Sequence, residues 1–200
     1  MTKPCASTKN LAEIYEWYGS LVRADRNKDW IPALQNKARS AHNKRTLFVI
    51  ESLLVSEYQR QQRYQEAMTI IDRQISENPN DPVPQIEKAS QLLHYEQEYQ
   101  LALTEIDAAI SKAKLAKRFY FQACGVRARI GAKLDRPDIV RQTMLEMMKW
   151  DPNDTIVDIP PETDFLRKVP EGTIVKELTE RYLDFCRYVR ESWDTKFPAS

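Results

Sequence analysis

The sequence predicts an all-α fold, an α-solenoid of three to four helix pairs, and three observations predict it. Only four of 200 residues are glycine, against an average usage of about 7%, which argues against a turn-rich sandwich or barrel. Apolar residues recur at spacings of three and four along most of the chain, the period of one helix face. Residues 64–75, YQEAMTIIDRQI, return 35 positions later as YQLALTEIDAAI with seven of twelve positions identical. Two unrelated amphipathic helices would share apolar positions, but not the Tyr, Gln, Thr and Asp between them. Self-similarity at this period marks stacked helical repeats.

Each element follows in order. NLAEIYEWYGSLVRA (10–24) and DWIPALQNKARSAHN (29–43) form a first pair, with Trp30 and Ala33 at the positions of Tyr64 and Ala67. A second pair joins LFVIESLLVSEYQRQQR, where Phe48, Glu51, Leu54, Val55 and Tyr58 mark one face, to the first copy of the repeat. VPQIEKASQLLHYEQE precedes the second copy, with Ile86, Ala89, Leu92 and Leu93 on its face. RFYFQACGVRARIGAKL (118–134) and DIVRQTMLEMMKWDPND (138–154) make the last pair; Val140 stands at the Ala position and Gly131 where an aromatic is expected. The Ala102-to-Val140 spacing of 38 places an insertion of three near 113–118. Three prolines over 155–172 forbid a continuous helix and predict a proline-rich connector. From 173 to 197, Val175, Leu178, Tyr182, Phe185, Val189 and Trp193 mark a long amphipathic helix that caps the stack.

A helix pair of about 34 residues, with a small Ala early in its second helix and ENPNDP after it, resembles the tetratricopeptide repeat family. The resemblance rests on Leu54, Tyr58, Tyr64, Ala67, Ile71 and Pro79 in one copy and on Ala89, Leu93, Tyr99, Ala102, Ile106 and Ala109 in the next. It implies a repeat domain over 10–154, in approximate repeats 14–47, 48–82, 83–120 and 121–154. It also implies a protein-interaction module, a scaffold or adaptor, whose partner peptide or helix lies in a concave groove lined by the first helices. By position that groove includes Val49, Ser52, Ser56 and Gln59, then Glu87, Gln91 and His94, then Gln122, Gly125 and Arg129.

The family's best-known groove clamps the C-terminal carboxylate of heat-shock chaperones with Lys and Asn, then Asn, then Lys and Arg. One alignment offers Ser52 and Ser56, then Lys88, then Gln122 and Val126; the other offers Tyr18 and Val22, then Leu53, then Pro84 and Lys88. Neither supplies that clamp. A chaperone-like protein holding an unstable or secreted client is the alternative reading.

No phosphate loop, dinucleotide fingerprint, zinc-protease motif, nucleophile elbow or CxxC pair occurs. His42 and His94 fall in different predicted repeats, so neither catalysis, a metal nor a cofactor is expected. The formal charge is +1, with residues 1–150 at +5 and 151–200, carrying 11 acidic and 7 basic groups, at −4. Nucleic-acid domains are more basic. The cluster Lys112, Lys114, Lys117, Arg118, Arg127, Arg129, Lys133 and Arg136 suits an acidic peptide as well as RNA, the weakest alternative. Cys5, Cys124 and Cys186 are odd in number and widely spaced, and the N-terminus lacks an apolar run, so a reducing, cytoplasmic setting is expected. No apolar run approaches the roughly 18 residues of a membrane span.

Overall fold

A computed structural model describes residues 6–25, 28–150, 160, 174 and 176–196, with the side chains of 6–10 and 193–196 excepted. The described residues form helices without a strand: α1 (Ala6–Ala24), α2 (Ile31–Arg39), α3 (Lys44–Arg60), α4 (Tyr64–Glu77), α5 (Pro82–Gln91), α6 (Tyr99–Ala116), α7 (Tyr120–Lys133), α8 (Pro137–Met148) and α9 (Lys176–Lys196). The connector expected at 155–172 lies outside the described residues except for Pro160, as do Cys5, Val175 and the side chain of Trp193.

Polar side chains start several of these helices. Asn43 accepts a hydrogen bond from the Thr46 amide at 2.8 Å, Asp81 from Val83 at 3.1 Å and Asp29 from Ile31 at 2.9 Å. Each satisfies an amide that the first helical turn leaves without a partner. Prolines in the first turns of α2, α5 and α8 lose nothing there, because those amides have no helical acceptor.

Helix ends are set differently from what a proline-stopped chain would show. Gln62, Gln97 and Asp135 adopt left-handed φ values of 60°, 59° and 53°. Each stands five residues before Ala67, Ala102 or Val140. The same bend therefore recurs in successive hairpins without a glycine, against the usual preference at a helix end. After α3 the Arg63 amide reaches back to the Tyr58 carbonyl at 2.9 Å, and after α7 Arg136 reaches Gly131 at 2.9 Å. In the middle hairpin the bond runs one residue further, from Glu98 to Leu92 at 3.0 Å. The cause is a single wide π-helical turn over Leu92–Glu96, which holds an extra residue at the end of α5.

The seven repeated identities occupy matching places. Ala67, Ala102, Ile71 and Ile106 are fully buried. Thr69 donates to the Gln65 carbonyl at 2.8 Å, and Thr104 to that of Gln100 at 3.3 Å.

The chain divides into two compact units, Met1–Gln74 and Ile75–Ser200. In the first, α1 and α2 pack against α3 around Ile14, Ile31, Leu34, Ile50 and Val55. In the second, α5 packs on α6, α6 on α7 and α7 on α8, while α5 also meets α7 and α9 meets α8. Leu178, Tyr182, Cys186 and Val189 form the buried stripe of α9. Its Tyr182 hydroxyl donates to the Met147 sulfur at 3.7 Å, and Phe185 meets the Phe121 ring edge-on at 6.0 Å between centroids. Trp150 stacks on Tyr120 at 4.6 Å.

Gly131 and Val140 have exchanged sizes relative to the pairs Tyr58 with Ala67 and Leu93 with Ala102, all nine residues apart. A Cβ on Gly131 would lie 2.9 Å from Ile139 Cγ2 and 3.2 Å from Val140 Cγ2. The small residue that α7 and α8 need for close approach has moved from the second helix to the first.

Candidate functional site

The groove residues expected from sequence are distributed over both units. On α3, Ser56 is exposed, Gln59 is half-buried and Val49 is buried. The Ser52 hydroxyl is shielded from solvent without a hydrogen-bond partner. Ser52, Ser56 and Gln59 lie at i, i+4 and i+7, a stripe distinct from that of Glu51, Leu54 and Tyr58.

In the second unit, α5 and α7 are direct neighbours, which brings two groups of expected residues onto adjoining helices. His94 and Gln122 are exposed, Arg129 is half-buried and Gly125 is buried. Gln91 is fully buried and donates to Glu96 at 3.0 Å. Three-four spacing put Gln91 on one face with Glu87 and His94; the π-helical turn breaks that register just beyond Gln91. His94 packs edge-on against Tyr95, 6.3 Å between centroids.

Glu87 is the unusual group of this set. Its Oε2 is out of reach of solvent and has no hydrogen-bond donor. Burial, with the Asp81 carboxylate as a second cause, pushes its pKa up to about 7.

Much of the basic cluster is already neutralised. Arg127 pairs with Asp107 at 2.7 Å and donates to the Thr143 hydroxyl at 2.7 Å. Arg118 pairs with Asp81 at 2.9 Å and Arg136 with Asp138 at 2.6 Å, while Lys112 donates to Gln85. Lys114 sits over the Tyr120 ring at 5.4 Å.

Two polar centres escaped sequence reasoning. Glu57, 1% exposed, is buried on α3. It accepts from the Tyr18 hydroxyl at 2.9 Å, the Trp30 amide at 3.2 Å, Gln61 at 3.3 Å and the Arg60 guanidinium, so one carboxylate ties α1 and the start of α2 to α3. Burial alone would raise its pKa; the bonds from Arg60, Trp30 and Tyr18 outweigh that and hold it below 4.5. Tyr18 is pushed up to about 12 by burial and by its bond to Glu57. The second centre is Glu51, buried on α3, which pairs with Arg73 of α4 at 2.6 Å and accepts from Gln74 at 3.3 Å.

Cys124 is buried, and burial pushes its thiol up to about 12, far from the low value a nucleophile needs. Among the described residues no group of three or more His, Cys, Asp or Glu side chains is arranged to hold a metal ion, and no helix is long and apolar enough to cross a membrane. Comparison of the chain with protein-family models, curated proteins and solved structures gave no match.

Proposed function

We propose that this protein is a non-catalytic interaction module of tetratricopeptide-repeat type that captures a peptide or helix of a partner protein on the groove face of its first helices. The observation that carries this reading is the 35-residue repeat: seven identical residues in twelve, with the buried alanines, the Thr-to-carbonyl bonds and the left-handed turn at Gln62 and Gln97 all recurring at the same offset. Contact of α5 with both α6 and α7 is what stacked helix hairpins make. His94 and Gln122 stand exposed on neighbouring first helices. Stacked repeats preform such a face, so little ordering opposes binding. Engagement of Arg118, Arg127 and Arg136 by carboxylates favours a peptide over RNA, whose phosphates would have to displace those partners.

Affinity capture with mass spectrometry, comparing the intact protein with a His94→Glu, Gln122→Glu variant, tests the reading. A partner captured by the intact protein and lost from the variant is expected. A partner retained equally by both would overturn this choice of face.

A further inference from the structure

The two copies of the repeat differ in kind at several aligned positions, Glu57 against Leu92 and Ile70 against Glu105 among them, and one of these differences borders a cleft. Glu51, Arg73 and Gln74 in α3 and α4 correspond, 35 positions on, to Ile86, Ala108 and Ala109 in α5 and α6. The second copy fills these three positions with apolar side chains, and Ile86 and Ala109 are buried there. In the second copy α5 and α6 are bridged elsewhere, by Lys88 with Glu105 at 3.2 Å, so the hairpin does not need an ion pair at this position to close. A buried pair is weak support for stability, because desolvation offsets its attraction. Its presence in one copy calls for another reason.

That reason lies in what the pair borders. Between α2, α3 and α4 the first unit holds a cleft of about 400 Å³. Arg39, Arg73, Gln35 and the Tyr58 hydroxyl line it beside Glu51, and Leu54 and Ile70 add apolar wall. Gln35 donates to the Tyr58 hydroxyl at 3.1 Å, which fixes both groups. Arg73 uses one guanidinium nitrogen on Glu51 and is half exposed, with 50% of its side chain accessible. A guanidinium has five N–H donors in a rigid fork, so most of its donor capacity remains. Glu51 thus acts as a positioning residue: it holds the Arg73 fork in place at the cleft. Arg39, which donates to the Asn36 side chain at 3.3 Å, supplies a second fork. Two guanidinium cations against one carboxylate leave the cleft with an excess positive charge.

We infer that this cleft binds an acidic segment of a partner peptide, its carboxylate seated between Arg39 and Arg73 and an adjoining apolar side chain resting on Leu54 and Ile70. Paired guanidinium forks match a carboxylate bidentately, and the apolar wall suits a peptide better than a bare ion. The site is separate from the Ser52, Ser56 and Gln59 stripe, so it stands or falls independently of the proposed groove.

The test uses the full chain and a fluorescein-labelled peptide of alternating leucine and glutamate, with a leucine–lysine peptide as control, read by fluorescence anisotropy. The leucine–glutamate peptide is expected to bind, and Arg39→Glu to weaken it by about tenfold or more. Glu51→Ile combined with Arg73→Ala gives the first copy two of the three residues of the second; it is expected to keep its far-ultraviolet circular dichroism and lose the peptide. Failure of the intact chain to bind, equal binding of the lysine peptide, or undiminished binding by Arg39→Glu would each overturn the inference. Displacement of the peptide by inorganic phosphate alone would overturn the peptide as occupant in favour of a small anion.

Discussion

The hairpins α3–α4 and α5–α6 share their buried alanines, isoleucines and a left-handed turn residue, yet one closes over Glu51, Arg73 and Gln74 and the other over Ile86, Ala108 and Ala109. The contrast extends to the units that contain them. The first is tied by buried carboxylates, Glu51 and Glu57, each satisfied by directed hydrogen bonds. The second is sealed chiefly by rings and aliphatic groups, among them Phe121, Tyr182, Phe185 and Trp150, and its ion pair between α5 and α6, Lys88 with Glu105, stays partly exposed. Hairpins with the same buried alanines and isoleucines accept either kind of side chain at these positions, which teaches that close approach at the small residues tolerates different chemistry beside it. The two interiors should fail in different ways.

The largest effect is expected from the apolar unit. Tyr182 is fully buried beneath Met147 and Phe185, so Tyr182→Ala should cost about 4 kcal/mol in urea unfolding, the usual loss for a deleted core aromatic. An effect below about 1 kcal/mol would mean that α9 does not hold the interior together.

Glu57→Ala probes the polar unit, where it strands the Tyr18 hydroxyl and the Trp30 amide while Arg60 remains partly hydrated. A loss of about 3 kcal/mol is expected. Glu57 has a lowered pKa, so its contribution is present above its ordinary 4.5 and is lost as pH falls. The wild-type difference from Glu57→Ala should therefore shrink in acid.

Glu87 should respond in the opposite direction. Its pKa is raised from 4.5 to about 7, so the folded state holds its proton longer than the unfolded chain and stability falls as pH rises through that window. Glu87→Gln should be nearly neutral at pH 4 and stabilise by roughly 2–3 kcal/mol at pH 8. Hydrogen exchange read residue by residue sharpens the contrast: amides near Glu57 should lose protection in acid while those near Glu87 gain it. Parallel pH responses would erase the distinction between the two interiors.

Gly131→Ala is the gentlest test. The added methyl meets Ile139, which is β-branched and stiff, at 2.9 Å. A loss of about 2 kcal/mol is expected from overpacking, whereas stabilisation would show that α7 and α8 can move apart freely.

The helices themselves were legible in the sequence because Ala67, Ile71, Ala102 and Ile106 announce both period and face. The end of α5 was not: its π-helical turn comes from no residue that three-four counting recognises, and Gln91 went to the interior rather than to the expected groove. Gln62, Gln97 and Asp135 bend the chain where glycine would have been the signal. The role of Glu57 was not legible, since the donors that satisfy it, Tyr18, Trp30, Arg60 and Gln61, converge only after α1, α2 and α3 assemble. The burial of both Glu51 and Glu57 was detectable, by asking which repeated positions change from the apolar Ile86 and Leu92 to a carboxylate.

Capture by the first-helix face is the central claim, and crosslinking addresses it most directly. A photo-crosslinking residue placed at Gln122, exposed on α7, or at Leu145, exposed on α8, would be irradiated with the partner recovered by affinity capture. The account predicts a covalent adduct from position 122 and none from position 145. An adduct from 145 alone would place the partner on the second helices and contradict it.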